Sequence, residues 1–336
     1  MDFCVFGLMK SLVFQGAEKV IVNEREIPVL GENTALVRVD FCGICGSDML
    51  IFSGKHPRVN SERILGHEFY GEVVDVKGDG FLKGDRVVCY PLISCGDCKP
   101  CNNNLAYVCK DLKLYGIDRE GGMANYCVVD LDKLIKVPLE LKDPLPALIE
   151  PLAVAIHAIK KSGFKDGDSA VVIGSGPIGS LIAWVLGKKS EKIFLTGKNE
   201  NKIECARNMG LNVVNVRKEE IKVREVDYVF ECAGVEGVVE EAMKVIGVAG
   251  KIVIVSLHKE HERKVDLFKT VFEELELIGA RVYRKEDFKD AIDFAIDNQE
   301  DLSKIITKVV RLEEADKVFY EDFKKNMKVL IDCRRN

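Results

Sequence analysis

The sequence predicts an α/β protein in two parts, a β-rich amino-terminal half followed by a doubly wound parallel sheet, and three observations lead there. Residues 1–150 alternate apolar and polar side chains between glycine turns. From Ser169 onward, strand-like and helix-like segments take turns, the order expected of a parallel sheet with helices on both faces. At the junction, a glycine-rich turn joins a β-branched run to an apolar helix. A length of 336 residues suits two ordinary domains.

In the first part, ALVRVDFCGIC (35–45) and YGEVVDVKG (70–78) read as half-buried strands, with turns in KGDGFLKGDRVVCY. LAVAIHAIKK (152–161) has helical spacing, which SGFKDGD interrupts. Strands are expected at 169–173, 191–196, 211–216, 226–231, 251–256 and 274–279, and helices at 177–189, 199–209 and 235–246. An amphipathic helix at 287–297 and a strand at 328–333 complete the chain. The expected boundaries are a domain at 1–150, a dinucleotide-binding domain at 151–285, and a segment at 286–336 that returns to the first domain.

Composition narrows the function. Hydrophobic residues make up 47% and charged residues 31%, as in a globular protein with a sizeable core. A net charge of −5 with no basic block argues against nucleic acid. Short apolar runs argue against a membrane span, and MDFCVFGLMK lacks the layout of a signal peptide, so the expected compartment is the cytoplasm. Only Gln15 and Gln299 represent glutamine, a bias seen in heat-adapted proteins.

SAVVIGSGPIGSLIAWVLG (169–187) sets Gly174, Gly176, Pro177, Ile178 and Gly179 between strand and helix, where a dinucleotide pyrophosphate would meet backbone N–H groups. The next strand ends in Thr196-Gly197-Lys198, without the carboxylate that holds an NAD ribose. Lys198 and Lys202 can face a 2′-phosphate, which favours NADP(H). The alternative is NAD held through Asn199 or Glu200, with both lysines merely solvated.

Twelve cysteines are unusual for a cytoplasmic chain, and four of them crowd together. Cys95, Cys98, Cys101 and Cys109 follow C-x2-C-x2-C-x7-C, a spacing that closes a tetrahedron around a structural zinc, with iron or a lost metal as alternatives. A second set is dispersed: Cys45, His67, Glu68 and Glu150. Spacing alone leaves open whether these share a metal. Cys4, Cys42, Cys89, Cys127, Cys205, Cys232 and Cys333 read as buried thiols and His157 as structural, while His258 and His261 fall in a charged stretch read as solvated.

GICGSD (43–48), GHEFYGEV (66–73), GDRV (84–87), the four-cysteine lobe, EPLAVAIHA (150–158) and GSGPIG (174–179) occur in one order over nearly the whole chain. In that order they resemble the zinc-containing medium-chain alcohol dehydrogenases, in the branch of polyol, sugar-acid (sorbitol, idonate, galactonate) and threonine dehydrogenases. The resemblance implies a GroES-like catalytic domain beside a Rossmann domain, one structural and one catalytic zinc per chain, and NAD(P)(H). It implies Cys45, His67 and Glu68 as catalytic zinc ligands, Glu150 as a nearby or exchanging ligand, and Ser47 as acceptor of the alcohol proton; capping of the following helix is the other reading of Ser47. Leu50 stands where many relatives have a histidine that ends the proton relay, so His56, Glu68, Glu150 or water must serve. The implied reaction is hydride transfer between a secondary alcohol and the cofactor. The implied substrate, alcohol or ketone, is a polyol, cyclitol or sugar acid. Tyr90-Pro91-Leu92 disfavours the alternative, a threonine-type amino alcohol. Homodimers or homotetramers are implied, paired through residues 250–257 or 274–280. Two rivals are a non-catalytic protein using the zinc lobe for interaction and a zinc-free quinone reductase; the retained ligand set argues against both.

Overall fold

The computed structural model describes residues 7–59, 62–258, 262–321 and 323–335. Its chain divides into two units, Met1–Glu150 with Ala291–Asn336, and Pro151–Asp290.

The first unit begins with β1 (Leu8–Gly16), β2 (Lys19–Glu26), β3 (Thr34–Gly43), helix α1 (Gly46–Phe52), β4 (Arg63–Ile64), β5 (Glu68–Lys77) and β6 (Arg86–Cys89). β7 (Leu92–Ile93), α2 (Lys99–Asn102) and β8 (Lys113–Leu114) form the cysteine lobe, followed by β9 (Tyr126–Asp130) and β10 (Leu134–Lys136). The second unit takes most of α3 (Ile149–Ser162), then β11 (Ala170–Ile173), α4 (Pro177–Gly187), β12 (Ile193–Gly197), α5 (Glu200–Asn208), β13 (Val213–Asn215) and β14 (Val226–Glu231). It continues with α6 (Val238–Val245), β15 (Ile246–Ile254), α7 (Leu267–Phe272), β16 (Glu276–Gly279) and the start of α8 (Lys285–Asp297). α9 (Gln299–Ser303), β17 (Ile306–Arg311), α10 (Ala315–Glu321) and β18 (Lys328–Asp332) belong to the first unit.

β3 organises the first unit. One of its edges pairs antiparallel with β5 along its length. The other edge is shared: Thr34–Arg38 pair with β9, and Phe41–Gly43 pair with β18 from the far end of the chain. Strand alternation explains the half-buried pattern of β9, whereas β3 is buried almost throughout because both of its faces are covered. A three-stranded sheet, β2-β1-β4, completes the core.

The second unit is a parallel sheet in the order β13-β12-β11-β14-β15-β16. Its central strand, AVVI, is buried at all four positions, as a strand with helices on both faces requires. The expected strand at 251–256 starts earlier, at Ile246, because the glycine-rich GVAG continues along β14 through an irregular register instead of turning away.

His157 is tied down within this unit. Its Nδ1 lies 2.7 Å from Asp287 Oδ2, Lys160 Nζ lies 2.9 Å from Oδ1, and the Arg284 N–H donates to Oδ2 at 2.8 Å. Burial alone would raise the Asp287 carboxyl, but bonds from His157, Arg284 N–H and Lys160 bring it down to about 2. Because the folded-state value is depressed, the stabilisation is full above the unfolded value near 4 and is lost as pH falls toward 2. Asp287→Asn is therefore expected to cost about 2 kcal/mol at pH 7, and the gap to wild type should narrow between pH 4 and 3 in denaturant melts. A gap independent of pH would rule out this origin.

Candidate functional site

Four sulfurs converge in the lobe. Cys98 is the N-cap residue of α2, which opens with Lys99 and Pro100, so Cys98 and Cys101 share one face of a single turn. Their Sγ atoms are 3.4 Å apart, Cys98 and Cys109 are 3.8 Å apart, Cys95 and Cys109 3.4 Å, and Cys95 and Cys101 3.9 Å. Sulfurs placed about 2.3 Å from a common centre make a tetrahedron with edges of about 3.8 Å. The set therefore fits zinc, and none of the four is in a disulfide. Backbone N–H groups of Lys110 and Cys101 lower the Cys98 thiol to about 6, while contact with Asp97, and then Cys109, pushes Cys95 up to about 12. Crowded thiols of this kind ionise together only around a cation.

The second set is assembled by the β3–β5 ladder. Its register sets Gly43 opposite Glu68, so the end of β3, with Cys45 two residues on, faces His67 and Glu68 at the start of β5. Donor atoms of Cys45, His67 and Glu68 lie within 4.8 Å of one another. Asp48 turns back on α1, its Oδ2 accepting the Cys45 N–H at 2.8 Å, while Oδ1 stands 3.9 Å from His67 Nδ1. That arrangement leaves the N-cap position to Cys45 rather than Ser47. The Ser47 Oγ is buried and has no hydrogen-bond partner among the described residues, and the same holds for Asp48 Oδ1 and His67 Nδ1. Converging Cys, His and Glu donors, with the orphaned His67 Nδ1 near the orphaned Asp48 Oδ1, fit a metal. Glu150, buried at the start of α3, is not one of the three converging donors, but its charge acts on His67 and Lys328.

Lys328 is the group that sequence reasoning missed. It opens β18, its side chain only 3% exposed, and its ammonium pairs with Glu68 Oε2 while donating to the Ile44 carbonyl at 3.1 Å. A β-carbon at Gly43 would lie 2.1 Å from Glu68 Oε2, so only glycine leaves room for the pair. Burial would lower Lys328, yet Glu68, Cys45 and Glu150 raise it above the ordinary lysine value and keep it charged. His67 behaves alike: burial pulls it down, but Cys45, Asp48 and Glu150 raise it well above the usual range. This strongly anionic field suits a divalent cation, which Cys45, Glu68 and an unprotonated His67 would hold. Among the relay candidates, His56 accepts the Arg58 N–H at 3.3 Å and is lowered by burial and by Arg58. Its charge also interacts with that of His67.

In the second unit, Gly174 adopts φ +116°, and a β-carbon on Gly179 would lie 1.9 Å from the Gly174 carbonyl oxygen. Gly176 precedes α4 with no side-chain cap and Pro177 has no N–H to leave unpaired, so the Ile178 end of the helix presents bare backbone donors. At the end of β12, a β-carbon on Gly197 would fall 2.1 Å from Ser175 Oγ, so no carboxylate fits there. Beside it opens a cavity of about 480 Å³ whose wall carries Lys198, Arg224 and Lys244 along with Glu219 and Glu220. Asn199 caps α5 through its bond from Lys202 N, and Glu200 pairs with Lys218 at 2.8 Å, so both side chains already have partners.

His258 departs from its expected solvated state: its side chain is 12% exposed and bonded to the buried Glu231. Hydrophobic periodicity could not reveal this, since the partner lies 27 residues away at the end of β14. Cys42, Cys89, Cys127, Cys205 and Cys333 are buried and Cys232 is half-buried; Cys4 and His261 lie outside the described residues.

Two family models match the chain, the alcohol dehydrogenase GroES-like domain over residues 31–139 and the zinc-binding dehydrogenase domain over 177–297. The chain belongs to the zinc-type medium-chain alcohol dehydrogenases and is an NAD(P)-dependent enzyme of that class. It is 35% identical to a 2-dehydro-3-deoxy-L-galactonate 5-dehydrogenase of Pseudoalteromonas atlantica, over 94% of this chain and 95% of that one. A sorbitol dehydrogenase of Halalkalibacterium halodurans is 28% identical over 93% and 95% of the two chains. Among solved structures, a zinc-binding dehydrogenase from Sinorhizobium meliloti bound to NADP superposes with a TM-score of 0.91 and 28% identity, covering 97% of this chain and 99% of that one.

Removing Lys328 isolates its contribution. In metal-stripped protein, Lys328→Met should destabilise by about 3–5 kcal/mol, the cost of leaving a buried carboxylate uncompensated. Glu68→Gln with Lys328→Met should cost less than the two single changes summed. Denaturant unfolding of all four proteins closes the cycle, and strictly additive losses would mean the pair does not hold this corner together.

Proposed function

We propose that the enzyme oxidises one hydroxyl of a vicinal diol, in a polyol, cyclitol or sugar acid, with NADP⁺ preferred, or reduces the matching ketone. The observation that carries the reading is the convergence of the Cys45, His67 and Glu68 donors beside the unpartnered Ser47 hydroxyl. These three residues would hold the catalytic zinc, with Glu150 close by, and Cys95, Cys98, Cys101 and Cys109 the structural one. Zinc in such a site would supply Lewis acidity toward a hydroxyl, and a bound nicotinamide would supply the hydride acceptor. The Ser47 Oγ accepts the alcohol proton, and Lys328 holds the Glu68 carboxylate in place with charge to balance it. With Leu50 unable to pass the proton on, His56 is the next base beside the site. Gly174, Gly176, Pro177, Ile178 and Gly179 seat the pyrophosphate, while the cramped Gly197 and the exposed Lys198 favour a 2′-phosphate over a bare ribose. The sugar-acid and polyol relatives and the NADP-bound neighbour support the substrate class and the cofactor.

The cytoplasm is the proposed location: the described cysteines are all free thiols, and no described helix is long and apolar enough to cross a membrane. Two copies are proposed to pair through the edge strand β16 and α7, where Phe268 and Phe272 stack at 5.6 Å, each 77% exposed, beside the exposed Leu267 and Val271. Phe268→Glu with Phe272→Glu should convert the protein to monomer in light scattering, and an unchanged mass would place the contact elsewhere.

The reaction is tested by following reduced-nicotinamide absorbance over polyols, cyclitols, aldonates and threonine, with NAD⁺ and NADP⁺ separately, before and after chelation. Chelator-sensitive turnover on one diol class is the expected result. Lys198→Ala should lower kcat/KM for NADP⁺ about tenfold, the worth of one charge-assisted contact, and leave NAD⁺ unchanged. Turnover on threonine alone would overturn the substrate class, and activity that survives complete loss of zinc would overturn the mechanism.

A further inference from the structure

A glutamate and a histidine meet at the carboxyl ends of β14 and β15, apart from both metal-ligand clusters. Glu231 ends β14 with its side chain wholly buried. Oε1 accepts the N–H groups of Ala233 and Gly234 at 2.7 and 2.8 Å. Oε2 accepts from Ser256 Oγ and lies 3.0 Å from His258 Nε2. Arg263 Nε stands 3.2 Å from His258 Nδ1. A guanidinium only donates, so Nδ1 accepts, the ring proton sits on Nε2, and Nε2 donates to Glu231. Four donors saturate the carboxylate, which makes it a knot between loops rather than a base.

The loops it joins are 232–234 and 255–258. Val255 N and Ser256 N also donate to the Glu231 carbonyl, at 2.9 and 3.2 Å. Gly234, with φ +62°, approaches so closely that a β-carbon would lie 3.1 Å from Leu257 O and 3.2 Å from Ser256 Cβ. The first loop also abuts the glycine turn, since a β-carbon on Gly174 would be 3.0 Å from Ala233 N. Gly197 ends β12 and Lys198 follows it, on the other side of β11 from β14. A dinucleotide seated on the Gly174 turn with its adenosine ribose at β12 therefore lays its other half over the ends of β14 and β15.

We propose that Glu231 and His258 form a positioning pair for the nicotinamide half of the cofactor, which fixes the two loops beneath it. The inference rests on the dinucleotide reading above. Binding of NADPH, of nicotinamide mononucleotide (reduced) and of 2′,5′-ADP to the zinc-loaded protein tests it without turnover. His258→Phe should weaken NADPH and the mononucleotide roughly tenfold, the effect of one lost hydrogen bond to a charged group, and leave 2′,5′-ADP within about twofold. His258→Gln, which keeps a donor toward Glu231, should recover part of the loss and carries the test if the phenylalanine variant does not fold. Unchanged mononucleotide binding in both variants would overturn the proposal, as would equal loss of both halves, which marks a general structural role. A wild-type protein that binds neither 2′,5′-ADP nor NADPH would instead overturn the dinucleotide reading itself.

Discussion

Lys328 and Glu68 meet almost completely out of contact with water, and the arrangement of the catalytic unit follows from keeping them together. A buried carboxylate without a partner is costly enough to unfold a marginal domain. Its partner here comes from the far end of the chain, carried in on β18, whose register sets Leu330 beside Gly43 just as β5 sets Glu68 beside the same residue. Gly43 is thus a crossing point of three strands, and its missing side chain is the space in which the ion pair sits. The Ile44 backbone, one residue later, bonds β18 in both directions, through its N–H to Val329 and its carbonyl to Lys328. Cys45 and Ser47 follow at once, so this end of the candidate site is anchored to β18.

The two ligand sets solve the same electrostatic problem at different sequence ranges. In the lobe, four thiols come from fifteen consecutive residues built around one short helical turn and flanked by a pair of two-residue strands. Little tertiary structure is needed to gather them, and a bound cation would be the main source of cohesion for so small a lobe. In the other set, the candidate ligands Cys45, His67 and Glu68 stand at the facing ends of β3 and β5 and depend on the ladder for their separation. There Lys328 offsets part of the negative charge of Cys45, Glu68, Glu150 and Asp48, so the first unit can hold that many acidic groups near one point.

In the cofactor unit the recurring device is close backbone approach secured by polar saturation. Gly174, Gly179, Gly197 and Gly234 each stand where a β-carbon would strike a neighbouring loop or the Ser175 hydroxyl. Glu231 and Asp287 are buried carboxylates with every strong acceptor position engaged, one knitting the strand-end loops and the other tying α3 to α8. Such groups contribute little net stability compared with an apolar core, but they resist displacement because any released partner would be left unsatisfied.

The sequence by itself determined what depends on short-range patterns. Buried β-branched runs located all six strands of the parallel sheet, with β12, β13 and β16 each starting two residues later than expected, whereas in the first unit period-two alternation picked out β3, β5 and β18 but not β1, β2, β9 or β17. The glycine turn, the missing carboxylate at Gly197 and the cysteine spacing are all contained in windows of fewer than twenty residues, and their chemistry was legible there. Tertiary structure alone decided which distant groups meet: Lys328 with Glu68 across 260 residues, His157 with Asp287 across 130, and His258 with Glu231 rather than with water. A buried lysine and an exposed one are the same letter in the same kind of strand. What distinguishes them is the charge placed opposite by strand register, and that register is set by the packing of the whole sheet rather than by the residues beside it.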